Sequence, residues 1–213
     1  MDINTILANI RSQALVGNTG ASDDMDRLMR YINKAYVNIY SRIGQAWPEY
    51  YEEYITIPTV NGKAVLDYFT ISEVYDNANN LKLRPRPEKS EDYVYSSTLL
   101  SGQENEYQLR PNGIWTYVVN NKAPTGNTTL GVTYIPNANV LVENSVSTDI
   151  LIPAAYHEAI EWMALWTLAY DERDKMVGTE LQFTQQMRDE WMNKLLQFIH
   201  AQKPQRDRTV RSY

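Results

Sequence analysis

Residues 150–200 read ILIPAAYHEAIEWMALWTLAYDERDKMVGTELQFTQQMRDEWMNKLLQFIH. Tyr156, Ala159, Ile160, Met163, Trp166, Thr167 and Tyr170 recur at steps of three and four, the spacing that lines one face of an α-helix. Ala155, Trp162, Leu165 and Ala169 add a second apolar stripe. A helix apolar on two sides needs cover on two sides. Pro153 suits a first helical turn, where its missing N–H would have no partner anyway. Thr148 and Asp149, just upstream, favour a helix start. The polar run 171–175 breaks the pattern, and Gly178 helps the chain turn. Met187, Trp191, Leu195 and Phe198, widened by Met192, Leu196 and Ile199, then mark a second helix folded back on the first. Most of these residues read as domain core. The outermost stripe is a candidate for contact with another subunit.

The other end of the chain is also helical. Ile3, Ile6, Leu7 and Ile10 predict a short amphipathic helix, ended by a loop over 17–21. Ser22 is placed as an N-cap, with Asp23 and Asp24 in the first turn. Met25, Leu28, Met29, Ile32, Ala35, Tyr36, Ile39 and Ile43 then keep helical spacing. Gly44 is the expected C-cap, and Trp47-Pro48 forbids continuation.

From about residue 50 to 142 the period changes to two. Tyr51, Ile55 and Ile57 alternate with polar neighbours, and Asn61-Gly62 is a two-residue hairpin signal because both positions tolerate positive φ. Strand material is expected within 65–74 and 81–84. Residues 107–109 and 114–119, joined by Pro111-Asn112-Gly113, read as a hairpin. Leu130, Val132 and Tyr134 alternate in a last strand before Pro136, while 88–103 carries no clear period.

Helices and strands are thus segregated, which predicts an α+β fold rather than a parallel α/β sheet. The expected organisation is a helical bundle made by residues 1–48 and a helical hairpin, 150–200, with a β-rich insertion, 49–149, between them. Residues 201–213 form a basic, extended tail that spans at most ~45 Å, enough to reach a neighbouring subunit.

The 213 residues include no cysteine, so disulfides and thiolate-bound zinc are excluded. The N-terminus has no basic region followed by an apolar block, and no apolar run reaches the ~20 residues of a membrane span, so neither a signal peptide nor a membrane anchor is expected. The net charge of −6 is uneven: the last thirteen residues carry +3 and the remainder −9. An acidic body disfavours tight binding of a phosphate backbone.

Chemistry-bearing motifs are sparse. His157 and His200 are the two imidazoles, and no Gly-x-Ser-x-Gly turn, phosphate-cradling loop or dinucleotide fingerprint occurs. His157 and Glu161 lie four apart on one helix face but lack the third ligand zinc requires, so a surface hydrogen bond or ion pair is expected there. Asp23, Asp24 and Asp26 lack the glycine and distal glutamate of a calcium loop and read as an acidic helix start. Asn127-Thr128-Thr129 matches a glycosylation sequon without a secretory context. Paired carboxylates remain an enzymatic alternative, in a groove lined by some of the 16 tyrosines and 5 tryptophans, acting on carbohydrate. No catalytic residue, cofactor or metal is assigned.

The layout resembles the head–tail connector proteins of tailed bacteriophages, also called adaptor or head-completion proteins. The likeness covers most of the chain. It rests on the helix pair ending Arg42-Ile43-Gly44-Gln45-Ala46-Trp47-Pro48-Glu49, the aromatic strand and Asn61-Gly62 turn, the run Pro124-Thr125-Gly126 to Tyr134, and Leu151-Ile152-Pro153-Ala154-Ala155-Tyr156-His157 at a helix start. Val65-Leu66-Asp67-Tyr68-Phe69 lacks the proline of the family's Tyr-x-Leu-Pro, and the middle region is long. The resemblance implies a non-enzymatic virion protein at the head–tail junction, assembled in the host cytoplasm. It implies a homo-oligomeric ring, twelvefold, beneath the portal protein. Such a ring would extend the DNA channel, let DNA pass without specific binding, and offer a platform for downstream tail or neck proteins. It would not engage a membrane. Arg206, Arg208, Arg211 and Tyr213 in the tail would dock on the portal or a neighbour. Another tail, neck or baseplate subunit is the alternative within the virion.

Overall fold

The computed structural model describes residues 1–14, 25–86, 104–118, 126–171 and 178–202. The 17–21 loop, the Ser22 cap with Asp23 and Asp24, the stretch 88–103, most of the polar run at 172–175, and the tail with Arg206, Arg208, Arg211 and Tyr213 lie outside the described residues. The fold is α+β. The chain divides into two compact units, Met1–Trp47 with Ala138–Tyr213, and Pro48–Asn137.

Among the described residues the first unit contains four α-helices: α1 (Ile3–Ala14), α2 (Met25–Ala46), α3 (Glu158–Asp171) and α4 (Gly178–Gln202). Helix α3 sits in the middle and packs against the other three. Every residue from 159 to 165 is buried, followed by Thr167, Leu168 and Ala169, so no solvent-facing side remains over that span. Helix α1 covers α3 with Ile3, Ile6, Leu7 and Ile10, each at most 2% exposed. Helix α2 contributes Leu28, Ile32, Tyr36, Ile39 and Ile43. Helix α4 offers a narrower stripe: Met192, Leu195 and Ile199 are buried, whereas Met187, Trp191 and Phe198 are half-buried. Each large apolar side chain so buried is worth about 1.5–3 kcal/mol.

Two helix ends differ from the sequence reading. Helix α2 runs through Gly44, which is buried, and stops at Ala46. The amide of Trp47 still bonds the carbonyl of Ile43 at 2.7 Å, and the stop comes from Pro48, whose ring disfavours helical geometry at the residue before it. Helix α3 begins at Glu158, not at Pro153. Pro153 is extended (ψ 131°), and Ala154–Tyr156 form a 3₁₀ turn before the α-helix proper.

The irregular segment 138–152 is tied to α2. The Asn33 side chain accepts from the Leu141 amide (2.8 Å) and donates to its carbonyl (2.9 Å). The Tyr36 hydroxyl donates to Asn139 Oδ1 at 2.6 Å, and Leu141, Ile150 and Ile152 are buried beneath.

Among the described residues the second unit holds eight short strands: β1 (Glu53–Pro58), β2 (Lys63–Val65), β3 (Thr70–Asp76), β4 (Leu81–Lys82), β5 (Arg84–Pro85), β6 (Glu104–Arg110), β7 (Gly113–Val118) and β8 (Thr129–Ile135). They form two four-stranded sheets, ordered β1-β8-β3-β4 and β2-β7-β6-β5, antiparallel except for the β5–β6 pair. Ile57, Val74, Leu130 and Val132 of one sheet meet Ala64, Tyr107 and Ile114 of the other in a shared core. The alternation read for 130, 132 and 134 therefore marks the inward face of β8.

The Asn61-Gly62 turn forms as expected, with φ of 51° and 69° and paired bonds between Val60 and Lys63. Yet it does not create an ordinary hairpin. Strand β1 pairs β8, and β2 pairs β7. The turn passes the chain between sheets, held by Thr116 N to Gly62 O (2.7 Å) and Gly62 N to Gly126 O (2.5 Å). The β6–β7 hairpin does form, closing at Arg110 opposite Gly113.

Gly113 has φ +153°, and a Cβ there would overlap the backbone carbonyl of Ala64. Gly113→Ala combines backbone strain with overpacking, each about 1–3 kcal/mol. We expect it to destabilise the strand unit by about 2–4 kcal/mol, read from urea unfolding followed by tryptophan fluorescence; an unchanged midpoint would contradict the β2–β7 register.

Candidate docking surface

From Arg27 to Ala46, α2 contains no carboxylate. Arg30, Lys34 and Arg42 are exposed and Arg27 is half-buried. At about 100° per residue these four fall within an arc of ~120°. The periodicity that turns Leu28, Ile32 and Ile39 inward is what turns the cations outward. Arg27, Arg30, Tyr31 and Lys34 line a shallow concavity of about 220 Å³. The Arg27 guanidinium lies 5.9 Å over the Tyr31 ring, and burial pushes the Tyr31 hydroxyl up from its ordinary pKa. Among the described residues, Arg30, Lys34 and Arg42 enter no ion pair.

Helices α2 and α4 both rest on α3 but scarcely touch one another. Between them runs a groove of about 440 Å³. Met163 and Trp166 of α3, with Met192 and Leu196 of α4, give it an apolar floor. Asn38 and Arg42 stand on one wall, and Arg188, Asp189 and Asn193 on the other. Arg188 is fixed: its guanidinium sits 4.0 Å over Trp166, and both Nε and Nη2 donate to Asp189 Oδ1, at 2.8 and 2.6 Å. Arg42, exposed on the facing wall, is the less committed cation.

The strand unit carries cations of a different kind. Lys63 and Arg110 lie 4.5 and 4.9 Å from the Trp115 ring, and Arg86 lies 4.4 Å from Tyr117. Arg110 Nη2 and the Tyr117 hydroxyl both donate to Gln108 Oε1. These charges already face aromatic rings of their own sheet, each contact worth about 0.5–1 kcal/mol at an exposed site. Glu106, buried nearby, has its carboxyl raised by desolvation and partly restrained by the Arg86 charge.

His157 and Glu161, expected at the surface, are both buried, 1% and 3% exposed. Helix α3 has no outer face at that level. The His157 ring lies between carbonyls, with Nε2 2.9 Å from Ile152 O and Nδ1 2.9 Å from Met1 O. Glu161 accepts hydrogen bonds from Asn9 Nδ2 (2.8 Å) and Gln13 Nε2 (3.0 Å) of α1. Burial raises the Glu161 carboxyl above its ordinary value, the two amides acting against the shift. Among the described residues no cluster of three or more His, Asp or Glu is placed to hold a metal ion. Asp76, also buried, accepts from the Ala78 and Asn79 amides and from Thr128 Oγ1, so it organises the turn after β3. Asn127 of the sequon accepts from the Asn61 amide. The buried carboxylates Asp76 and Glu161 are thus held by amides and a hydroxyl of the chain's own.

The tail residues Arg206, Arg208, Arg211 and Tyr213 follow the last described residue, Gln202 at the end of α4. Neither the apolar period of α2 nor the net charge of the chain reveals its cationic face. Twenty residues without a carboxylate, in a chain with 26, was the available signal. No described helix is long and apolar enough to cross a membrane.

A family profile described as SU10 adaptor protein matches residues 1–212. No curated protein matches the chain.

The raised carboxyl of Glu161 has a signed consequence. A folded-state pKa above the unfolded one means the folded protein binds the proton more tightly. Stability from this group is full below the ordinary value of 4.5 and is lost as pH rises through the folded-state value. Glu161→Gln removes that dependence. Its melting temperature relative to the parent should therefore rise between pH 4.5 and 7, whereas Glu161→Ala, which empties a buried position and takes the acceptor from Asn9 and Gln13, should cost about 2–4 kcal/mol. Parallel pH profiles of the Glu161→Gln variant and the parent would contradict this assignment.

Proposed function

This chain belongs to the SU10 adaptor protein family, and from that premise we propose that it forms a homo-oligomeric ring, twelvefold, beneath the portal at the head–tail junction. As a phage adaptor it is a structural virion protein. The ring would extend the DNA channel and present a platform to downstream tail or neck proteins. Assembly would take place in the host cytoplasm before the particle is complete. The observation that carries this reading is the match of the family over nearly the whole chain, residues 1–212.

Physical features of the chain agree with that role. Helices from both ends enclose α3, which gives the helical unit a core of its own. The basic tail, with Arg206, Arg208, Arg211 and Tyr213, supplies charge that steers docking and selects a partner more than it adds affinity. The body outside that tail carries −9, and a wall of that sign lets phosphates slide.

Two measurements test the proposal. Deleting residues 203–213 should abolish attachment to the portal by electron microscopy while circular dichroism and melting temperature stay unchanged; attachment at parental levels would remove the tail from the docking role. The assembled ring should bind duplex DNA only weakly at physiological salt. A tight complex that weakens steeply with added salt would mean that its inner wall is cationic.

A further inference from the structure

We propose that the carboxylate-free face of α2, with the groove beside it, receives the acidic, tyrosine-bearing edge around β1 of a second copy of this chain. This deepens the ring reading and rests on it. The two surfaces are opposite in charge: the α2 face has no carboxylate, and the one carboxylate lining the groove, Asp189, is paired with Arg188. No cation occurs from Ile43 to Gly62, while Glu49, Glu52 and Glu53 stand in sequence with Tyr50, Tyr51 and Tyr54. Glu49 and Glu53 are exposed, and Tyr54 is 61% exposed. Among the described residues, strand β1 is the outer strand of its sheet and pairs β8.

The receiving surface has matching chemistry. Lys34 and Arg42 are exposed and enter no ion pair among the described residues, unlike Arg188, which Asp189 and Trp166 already hold. The groove floor of Met163, Trp166 and Leu196 is apolar, the surface an aromatic side chain fills best. Asn38 and Asn193 at the rim offer amides to a phenol hydroxyl. The cations on Trp115 and Tyr117 make a poorer receiver, because their partners are already present.

The contact joins two different surfaces of the same chain. Such a heterologous contact propagates head to tail and closes into a ring when the rotation allows it, whereas two like surfaces would stop at a pair. The acidic edge and the α2 cations then neutralise each other between copies, so the cationic face is covered in the assembly and does not meet DNA.

The test uses full-length protein mixed with its portal, with rings counted by electron microscopy and mass measured natively. One variant carries Lys34→Glu and Arg42→Glu, a second carries Glu49→Lys and Glu53→Lys, and a third carries all four. Like charges brought together should lower ring formation by the first two by at least about tenfold, with unchanged circular dichroism. The four-substitution chain, whose surfaces are again opposite, should recover ring formation to within about threefold of the parent, a margin of less than one decade in affinity. Parental assembly by either two-substitution variant, or no recovery by the third, overturns the contact while leaving the ring intact. A parent that forms no ring on the portal overturns the ring reading itself, and this contact with it. Loss of DNA binding in the first variant with rings unchanged would assign the α2 face to nucleic acid instead.

Discussion

The structure depends on one constraint: from Ala159 to Leu165, α3 is buried on every side and apolar except for Glu161. A helix of that kind cannot lie on a surface, because any side left open would expose large apolar area to water. The chain meets the constraint with helices from both ends, α1 and α2 before the strands and α4 after them. That requirement accounts for the long-range order of the chain better than any local signal does. The strand unit can be inserted because α1 and α2 pack on α3 across more than 100 residues of sequence. The same constraint is why a polar residue of α3 needs a dedicated partner. Glu161 has no water to face, so Asn9 and Gln13 of α1 supply its hydrogen bonds.

The helices were legible in the sequence for the same reason. A period of three and four sustained over Met25 to Ile43, or over Tyr156 to Tyr170, places apolar groups on one side of a helix and of no other regular element. Their ends were less legible. Gly44 is a good C-cap in isolation, but tertiary burial kept the helix going until Pro48 intervened. The strand unit shows the limit more clearly. The chemistry of Asn61-Gly62 dictates a tight turn, and the turn is there. Which strands then pair is decided by contacts 50 to 80 residues away, such as Ile57 with Leu130 and Lys63 with Trp115. No local spacing contains that information. The segment 138–152 has no period at all, and its place on α2 follows from single residues, Asn33 and Tyr36, whose polar groups happen to find its backbone and the Asn139 side chain.

Function was legible at the level of family, because the order of several weak signals is more specific than any one of them. The docking surface was not. Net charge is a sum over the chain, and a sum of −6 conceals a twenty-residue stretch of helix with no carboxylate. Only the fold distinguishes cations that are occupied from cations that are available. Lys63, Arg86 and Arg110 look in the sequence like Lys34 and Arg42, yet three sit against aromatic rings and two do not.

The proposed assembly gives a separate task to each of two cationic elements in this acidic chain, the α2 face and the tail. They differ in their place in the chain. The α2 cations are fixed on a helix whose opposite face is locked into the core, so their spacing is set before any partner arrives. A rigid array loses little entropy on docking and accepts only a surface of matching spacing. The tail cations Arg206, Arg208 and Arg211 lie on the eleven residues that follow Gln202, a length of chain that spans at most ~40 Å. Rigid complementarity suits an interface repeated identically between copies, where any mismatch is multiplied around the ring. Reach suits attachment to a different protein whose symmetry and distance the subunit does not control. The two elements are then not redundant: the first would set the geometry among copies, and the second would fasten the finished array to the particle.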